Sequence, residues 1–235
     1  MVQRPDPERA VYLVDGSNNL YRAFYAIRGL STSKGLPTNA IYGFTSMLRK
    51  LLREHRPRYL AVAFDVAEPT FRHKAFADYK AHRPETPQEL VVQIPHVKKV
   101  CEVLGVRVLE MAGYEADDII ATLTDRGRKA GCPIVIVATD KDLLQLVGDG
   151  VLVYNPVSEE FLDGDGVERV FGVRPEQVRE VLSLCGDASD NIPGVPGIGE
   201  KGAKELIRKY GDLEAVLAAA GDIPRMGYRE GLLNH

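Results

Sequence analysis

The chain has 235 residues, with 30 Lys and Arg against 33 Asp and Glu, which gives a net charge of −3. A hydrophobic content of 45% and a charged content of 27% are ordinary for a soluble globular protein, and they exclude a disordered, collagen-like or coiled-coil chain. The overall charge argues against a nucleic-acid binder, because such domains are usually basic, but the acids are unevenly distributed along the chain.

The sequence carries no signal for export or for membrane insertion. Its first ten residues are polar, unlike a signal peptide, and no apolar run approaches the roughly 20 residues that cross a bilayer. Cys101, Cys132 and Cys185 are far apart, so neither a disulfide framework nor a zinc site is expected. We expect a cytoplasmic protein with no membrane partner.

Strands and helices are predicted in alternation through the first two thirds of the chain. Short apolar runs predict strands at residues 11–14, 60–64, 106–109, 134–137 and 151–154. Apolar stripes with helical spacing predict helices at residues 40–53, 93–104 and 116–123. Continuous apolar strands separated by helices predict an α/β fold, with a mostly parallel central sheet flanked by helices.

Residues 66–95 interrupt this alternation with a polar stretch that is rich in Pro, Lys, Arg and His. A connection of this length is either a functional excursion or a solvated surface loop, and composition favours neither.

The last third of the chain predicts a small helical subdomain. Helices are predicted at 174–185, at 200–210 and at 212–220, and a Gly- and Pro-rich cluster at 186–199 separates the first two. Gly227 and Gly231 interrupt residues 221–235 and argue against a well-formed final helix. We therefore expect two domains, residues 1–172 and residues 173–235.

Carboxylates follow the predicted strands. Asp15 and Asp65 come directly after two of them and Asp140 follows a third after two more residues, and ligands of parallel sheets bind outside the carboxyl ends of the strands. Asp142 lies two residues further on, and Glu115, Asp117 and Asp118 open a predicted helix. Each acid alone is explained as a turn residue, a helix cap or a partner of the helix dipole.

Together, these acids predict a cation site. Massed carboxylates repel one another and raise one another's pKa, which a fold tolerates where cations bind. Oxygen ligands without His or Cys favour Mg²⁺ or Mn²⁺. Asp187 and Asp190, in the sequence GDASDN, are either turn formers or acids that complete the same site.

A glycine-rich turn precedes the predicted helix at 200–210. Gly197 and Gly199 flank Ile198, and Lys201 and Lys204 follow them. Backbone N–H groups at such a helix start favour phosphate, and the pattern matches the hairpin of helix-hairpin-helix DNA-binding modules.

An ordered set of motifs resembles the 5′-nuclease domain of bacterial DNA polymerase I and the related flap endonucleases. The motifs lie between about residues 10 and 215 and are LVDGSN at 13–18, AIYGF at 40–44, FD at 64–65, TFRHKAFADYKAHR at 70–83, GYEADD at 113–118, TDKDLLQL at 139–146 and GDASDNIPGVPGIGEKGA at 186–203.

The resemblance implies a PIN-like 5′-nuclease fold with a helical arch at about residues 66–95 and a helix-hairpin-helix subdomain. It implies two divalent cations, Mg²⁺ or Mn²⁺, and K⁺ at the hairpin. Nine acids match the family's metal site: Asp15, Asp65, Glu115, Asp117, Asp118, Asp140, Asp142, Asp187 and Asp190. The residues matched to DNA contacts are Arg22, Arg72, Tyr79, Lys80, Arg83, Gly197, Gly199, Lys201 and Lys204, and those matched to catalysis are Lys80, Arg83 and Asp140.

The implied activity is a structure-specific 5′-3′ exonuclease and 5′-flap endonuclease of bacterial DNA replication and repair, including removal of RNA primers from Okazaki fragments. The implied partners are 5′ flaps, nicked or 5′-ended duplexes and RNA–DNA hybrids, and the implied state is a monomer fused to, or working with, a DNA polymerase.

The alternatives are a non-catalytic protein that binds DNA junctions, a PIN-like ribonuclease and, because of the D-x-D at Asp140, a topoisomerase-primase domain. The charge is consistent with DNA binding, since 24 acids remain against 30 basic residues once the nine matched acids are set aside.

Overall fold

The computed structural model describes residues 2–234, which form two compact units. The sheet unit comprises the chain up to Phe71, together with Glu85–Leu143 and Val147–Asp163. The helical unit comprises Arg72–Pro84, Leu144–Leu146 and the chain from Gly164 onward. The predicted domain boundary between residues 172 and 173 stays a prediction.

A six-stranded sheet forms the centre of the sheet unit, in the order β3-β2-β1-β4-β5-β6. The strands are β1 (Val11–Asp15), β2 (Tyr59–Ala63), β3 (Arg107–Leu109), β4 (Ile134–Val137), β5 (Val151–Asn155) and β6 (Glu160–Leu162). All neighbouring strands pair in parallel except β5 and β6. The predicted α/β fold with a mostly parallel sheet is confirmed, and β6 is an antiparallel edge strand that the apolar runs did not indicate.

The register brings the carboxyl ends of three strands to one edge. Asp15 of β1 is paired with Ala63, the last residue of β2, and Val14 is paired with Val137, the last residue of β4. Asp65 and Asp140 follow β2 and β4 within a few residues. The chain segments that carry the predicted acids therefore leave the sheet side by side.

Within residues 2–234, six helices belong wholly or partly to the sheet unit. They are α1 (Gly16–Ala26), α2 (Asn39–His55), α3 (Phe71–Ala75), α4 (Gln88–Val91), α5 (Ile94–Val103) and α6 (Ala116–Lys129). Phe44 and Leu48 of α2 and Val97 of α5 are fully buried in the core. These apolar stripes are the ones that predicted the helices, although α6 continues to Lys129, beyond the predicted end.

Helix α1 was not predicted, because its first turn is polar. Asp15 caps it by accepting a hydrogen bond from the Asn18 backbone N–H at 3.0 Å. A Cβ at Gly16 would lie 2.6 Å from Val62 Cγ1 and 2.7 Å from the Ala63 carbonyl, so only glycine lets α1 start this close to β2. Capping and close packing thus specify a helix that periodicity does not.

The polar stretch at residues 66–95 is partly helical. It contains α3 and α4 and the start of α5, while residues 76–87 form turns and bends.

Helices dominate the helical unit, and a short β-pair connects two of them. The helices are α7 (Gly164–Phe171), α8 (Pro175–Cys185), α9 (Glu200–Tyr210), α10 (Leu213–Ala218) and α11 (Met226–Asn234), and the strands are β7 (Gly186–Asp187) and β8 (Ile192–Pro193). The predictions of α8, α9 and α10 are confirmed. Across residues 2–234, no helix has both the length and the apolar character that crossing a membrane requires.

The expectation about the end of the chain was wrong, because residues 226–234 form α11. Its two glycines lower helix propensity, but one of them serves packing. A side chain at Gly231 would clash with the Pro196 carbonyl, and Tyr228 and Leu232 are each only 8% exposed. Tertiary burial therefore outweighs propensity, while His235 lies outside the described residues.

Candidate metal centre and nucleic-acid interface

Asp15 is a buried carboxylate at the end of the central strand. Its side chain is 3% exposed, and its Oδ1 atom accepts the Asn18 N–H that caps α1. The pKa of Asp15 is raised to about 7, because desolvation on burial and the charges of Asp65 and Asp140 together outweigh the lowering effect of the hydrogen bond from Asn18. A carboxylate in this position is stabilised in its ionised form by a nearby cation.

Asp117, in the first turn of α6, is a strongly perturbed carboxylate of this edge. Its pKa is raised to about 8, first by desolvation on burial and then by the charges of Asp15, Asp140, Asp65 and Asp142, in that order of size. All these influences act in the same direction. Five predicted metal-site acids therefore share one electrostatic environment in the sheet unit.

Two of these acids also shape the backbone at the edge. Asp65 Oδ1 accepts the N–H of Ala116, the first residue of α6, at 2.7 Å. The N–H of Asp65 in turn donates to Ser17 Oγ at 2.8 Å. Asp140 Oδ1 accepts the N–H of Asp142 at 2.9 Å, at the start of a 3₁₀ helix over Asp142–Leu146. Because both of these carboxylates accept a backbone N–H through Oδ1, their Oδ2 atoms can contact a cation.

Glu115 and Asp118 form the N-terminal cap of α6. The Asp118 carboxylate accepts the Glu115 N–H at 3.0 Å, and both residues are half-buried. The capping interpretation that the sequence left open is therefore correct for this pair. Capping does not conflict with a role in the metal site, because a carboxylate that accepts a backbone N–H can also contact a cation or a cation-bound water.

The donor chemistry of the edge fits hard divalent cations, while its spacing restricts how they bind. Across residues 2–234, no three His, Cys, Asp or Glu side chains lie close enough together to form a ready-made cation cage. Mg²⁺ characteristically keeps several of its waters and takes only one or two carboxylates directly. The edge suits ions held by few direct contacts, with the remaining acids acting through water.

In the helical unit, Asp187 builds a turn, and its carboxylate faces the backbone of that turn. Its Oδ1 atom accepts the Ser189 N–H at 2.7 Å, the Ser189 hydroxyl at 2.6 Å and the Asp190 N–H at 3.3 Å. We call residues 187–191 the acidic turn. The turn-forming interpretation of this motif is thus correct for Asp187, and its predicted role in a metal site stays a prediction.

Asp190 contacts the three predicted arch residues. Its Oδ1 atom accepts from Arg83 Nη2 at 2.6 Å, and its Oδ2 atom accepts from the Tyr79 hydroxyl at 2.8 Å. Lys80 Nζ lies 3.9 Å from Oδ2. Tyr79 is only 4% exposed, whereas Arg83 is exposed. We call residues 78–83 the basic segment, and its cations lie against the acidic turn.

The hairpin between α8 and α9 has the backbone that its glycines predict. Gly197 has a left-handed φ of 84°, Gly199 is the N-cap of α9, and Ile198 between them is 4% exposed. Lys201 is exposed at the start of α9. Lys204 pairs with Glu200 and lies 4.0 Å from the centre of the Phe171 ring, so it is less available than Lys201.

The two remaining predicted DNA contacts lie in different units. Arg22 is exposed on α1 in the sheet unit, and Arg72 is half-buried on α3 and belongs to the helical unit.

The sequence interpretation gave no role to two asparagines, each of which links elements within its own unit. Asn19 donates to the backbone carbonyls of Asp15 at 2.7 Å and Val137 at 3.4 Å, linking β1 to β4. Asn191 donates to the Asp78 carbonyl at 2.7 Å, linking the acidic turn to the basic segment. Asn191 lies inside the GDASDN motif and Asn19 directly follows the LVDGSN motif, and that position was the available signal.

Comparison with known proteins identifies the family. Residues 10–172 match the model of the 5′-3′ exonuclease N-terminal resolvase-like domain, and residues 173–235 match that of the 5′-3′ exonuclease C-terminal SAM fold. The chain belongs to the 5′-3′ exonuclease family. This match confirms the resemblance inferred from the motifs. At the level of the family, it also confirms the prediction that the chain is a hydrolytic nuclease.

Curated relatives include both a short nuclease and long polymerases. A 5′-3′ exonuclease of Aquifex aeolicus is 47% identical over 209 residues, which cover 89% of this chain and 72% of that protein. A thermostable DNA polymerase I of Thermus aquaticus is 41% identical over 230 residues, covering 98% of this chain and 27% of the polymerase. The chain thus spans most of the first relative and about a quarter of the second.

Solved structures share the fold at lower identity. A bacteriophage T5 flap endonuclease in a pseudo-enzyme-product complex with DNA and metal ions has a TM-score of 0.75 and 23% identity, covering 95% of this chain and 84% of its own. The catalytic core of Rad2 in complex with DNA has a TM-score of 0.60 and 20% identity, covering 97% of this chain and 73% of its own. These similarities confirm the predicted fold class.

Proposed function

We propose that this chain hydrolyses DNA phosphodiesters near a 5′ end, as a 5′-3′ exonuclease and as an endonuclease at the base of a 5′ flap. The main observation behind the proposal is that four other acids at the carboxyl edge of the sheet raise the pKa of Asp117, as expected where a cation binds. Family membership supports the same reaction, and the T5 relative of like fold was crystallised with DNA and metal ions.

The cofactors proposed are two divalent cations, Mg²⁺ or Mn²⁺. Asp15, Asp65, Asp117, Asp140 and Asp142 would hold them, directly or through water, with Glu115 and Asp118 supporting α6 beside them. When bound, such cations stabilise negative charge on the phosphate oxygens. Asp187 and Asp190, in the helical unit, are likewise proposed as metal-site acids.

Lys80 and Arg83 are proposed to stabilise the charge that develops on the scissile phosphate. Both carry positive charge, and both lie beside the Asp190 carboxylate. An incoming phosphate would offer these two side chains a competing anion. Tyr79, Arg22 and Arg72 are proposed to contact the 5′ strand.

The hairpin is proposed to bind the duplex portion of the substrate without reading its sequence. Gly197 and Gly199 bring backbone N–H groups to the start of the 11-residue helix α9, where the helix dipole favours phosphate. Lys201 adds charge, Lys204 adds less because it is engaged by Glu200, and K⁺ is the proposed monovalent ion of this turn.

The biological setting proposed is bacterial DNA replication and repair, including primer removal from RNA–DNA hybrids. The chain would act in the cytoplasm as a monomer, fused to or working with a DNA polymerase. The polymerase I relatives, which share this segment with the chain, support that partnership.

The deciding experiment is a Mg²⁺ titration with a 5′-flap DNA labelled at its 5′ end. Release of flap-length products identifies endonuclease activity, and release of mononucleotides identifies exonuclease activity. A chelator control must abolish both. Tight flap binding without any cleavage would instead support a non-catalytic junction-binding protein, and preferential cleavage of an all-RNA flap would support a PIN-like ribonuclease.

A further inference from the structure

Asn191, the last residue of the GDASDN motif, reaches the basic segment through an uncharged hydrogen bond. Its Nδ2 atom donates to the Asp78 carbonyl at 2.7 Å, across 113 positions of sequence. The Asp78 carbonyl also accepts the Ala81 N–H at 3.1 Å, so Asn191 binds the carbonyl that closes the turn at residues 78–81. Its bond therefore acts on the geometry of that turn.

Lys80 occupies the third position of this turn in a conformation that lysine rarely adopts. Its φ is +57°, a left-handed value that turns usually assign to Gly or Asn at this position. Left-handed backbone costs an ordinary residue on the order of 1 kcal/mol or more, and it persists where surrounding contacts enforce it. The lysine is thus held against its own backbone preference.

The contacts that enforce this conformation come from the acidic turn. The Lys80 N–H donates to the Asp190 carbonyl at 2.9 Å, and Arg83 Nε donates to the Ser189 carbonyl at 3.0 Å. Asn191 itself has a φ of +56°, which asparagine tolerates better than most residues. Backbone strain that is retained at a lysine, in a segment rich in cations, indicates that the position of the ammonium group matters.

We infer that Asn191 is a positioning residue for the proposed nuclease reaction, and this inference rests on that proposed function. Its side-chain amide clamps the turn at residues 78–81 and so holds Lys80 in the left-handed conformation that sets where its ammonium group lies. Without the clamp, the turn relaxes toward the ordinary backbone of lysine. The ammonium group then moves, although its charge is unchanged.

Asn191→Gly is the discriminating variant, because glycine keeps the left-handed backbone and removes only the side-chain donor. We expect its single-turnover rate at saturating enzyme on a 5′-flap DNA to fall about 10- to 100-fold, since a small displacement of a catalytic group has effects of this size. Flap affinity and the Mg²⁺ concentration for half-maximal rate should stay within about twofold of the parent protein.

A double-mutant cycle with Lys80→Ala separates positioning from a general structural role. If Asn191 acts through the ammonium group, Asn191→Gly should slow the Lys80→Ala protein by less than about twofold. An equal loss in both backgrounds would overturn the inference. Glu159→Gly is the matched control, because Glu159 also has a left-handed φ, of +60°, but lies in a turn of the sheet unit; its rate should equal that of the parent.

The inference and the proposed function fail in different ways. A parent protein without Mg²⁺-dependent cleavage overturns the proposed function. An active parent protein together with an equally active, folded Asn191→Gly overturns the positioning role alone. If Asn191→Gly is unstable, Asn191→Asp replaces it, because aspartate tolerates the left-handed backbone but cannot donate to the carbonyl; an unchanged rate in that variant also overturns the role.

Discussion

The carboxylates at the sheet edge and the carboxylate of Asp190 have opposite surroundings. At the edge, Asp117 is half-buried, and desolvation and four other acids raise its pKa to about 8. In the helical unit, both Asp190 oxygens accept hydrogen bonds, one from Arg83 and one from Tyr79, and Lys80 lies 3.9 Å away. The edge acids accumulate negative charge. The negative charge of Asp190 is balanced by Arg83 and Lys80 of the same chain.

This difference separates two ways of preparing a site for a phosphate. The edge acids need positive charge from solution, and divalent cations supply it most effectively. The basic segment carries its own positive charge. The Asp190 carboxylate balances that charge, and a phosphate would compete with Asp190 for it. Variants in the two regions should therefore differ in their dependence on Mg²⁺ and on pH.

The largest effect is expected at the edge. Asp140→Asn should lower the cleavage rate by about 10³-fold or more, because a metal-site charge is lost, while the amide oxygen can still accept the Asp142 N–H. Flap binding, measured by fluorescence anisotropy in Ca²⁺, should be nearly unchanged. Retained Mg²⁺-dependent cleavage would remove Asp140 from the proposed site.

A smaller loss of rate is expected in the basic segment. Lys80→Ala should slow the single-turnover step by about 10²-fold, as removal of one stabilising group from a developing charge does. The Mg²⁺ dependence should be unchanged, because the edge acids are untouched. A shifted Mg²⁺ midpoint with an unaltered maximal rate would contradict the separation of the two regions.

Stability without divalent cations should depend on pH through the edge acids. The pKa values of Asp117 and Asp15 rise from 3.8 to about 8 and about 7 on folding, so between these limits the folded state keeps protons that the unfolded state has lost. The contribution of these two groups to the unfolding free energy should therefore fall as pH rises from about 4 toward about 8 and level off above it. Mg²⁺ should reverse most of that fall, as measured by chemical denaturation.

Asp117→Asn is the matched variant for that measurement. It removes a strongly perturbed ionisation and should raise the metal-free unfolding free energy at pH 8 by on the order of 1–3 kcal/mol. The gain should vanish at low pH, where the parent residue is protonated. A variant that is less stable than the parent at pH 8 would show that the edge carboxylates do not repel as described.

The smallest effect concerns the balanced region. Tyr79→Phe removes the hydroxyl that donates to Asp190 and should lower the unfolding free energy by about 1.5 kcal/mol, the lower end of the range for loss of a hydrogen bond to a charged group. Unlike the Asp117 variant, its effect should not change between pH 6 and 9. A strong pH dependence would mean that Asp190 is not balanced by its neighbours.

Local pattern predicted the parts of the fold where periodicity and burial coincide. Four parallel strands and α2 were readable because their apolar residues face a buried layer. Helices α1 and α11 were missed or rejected because their sequences are polar or contain glycine. What specifies α1 is the local cap at Asp15 together with the close approach of Gly16 to Val62, and what specifies α11 is the contact of Gly231 with Pro196. Both of these packing contacts join distant parts of the chain.

Residue order alone was enough to establish which residue types follow each strand, which family the chain resembles and which acids can act together. Folding was needed to establish that Asp15 is buried while Asp65 is exposed, and that Asp187 shapes a turn while Asp190 binds the basic segment. The physical reason is that burial and charge depend on neighbours brought together by folding. Asn191 and Asp78 meet across 113 positions, and no local pattern encodes that contact.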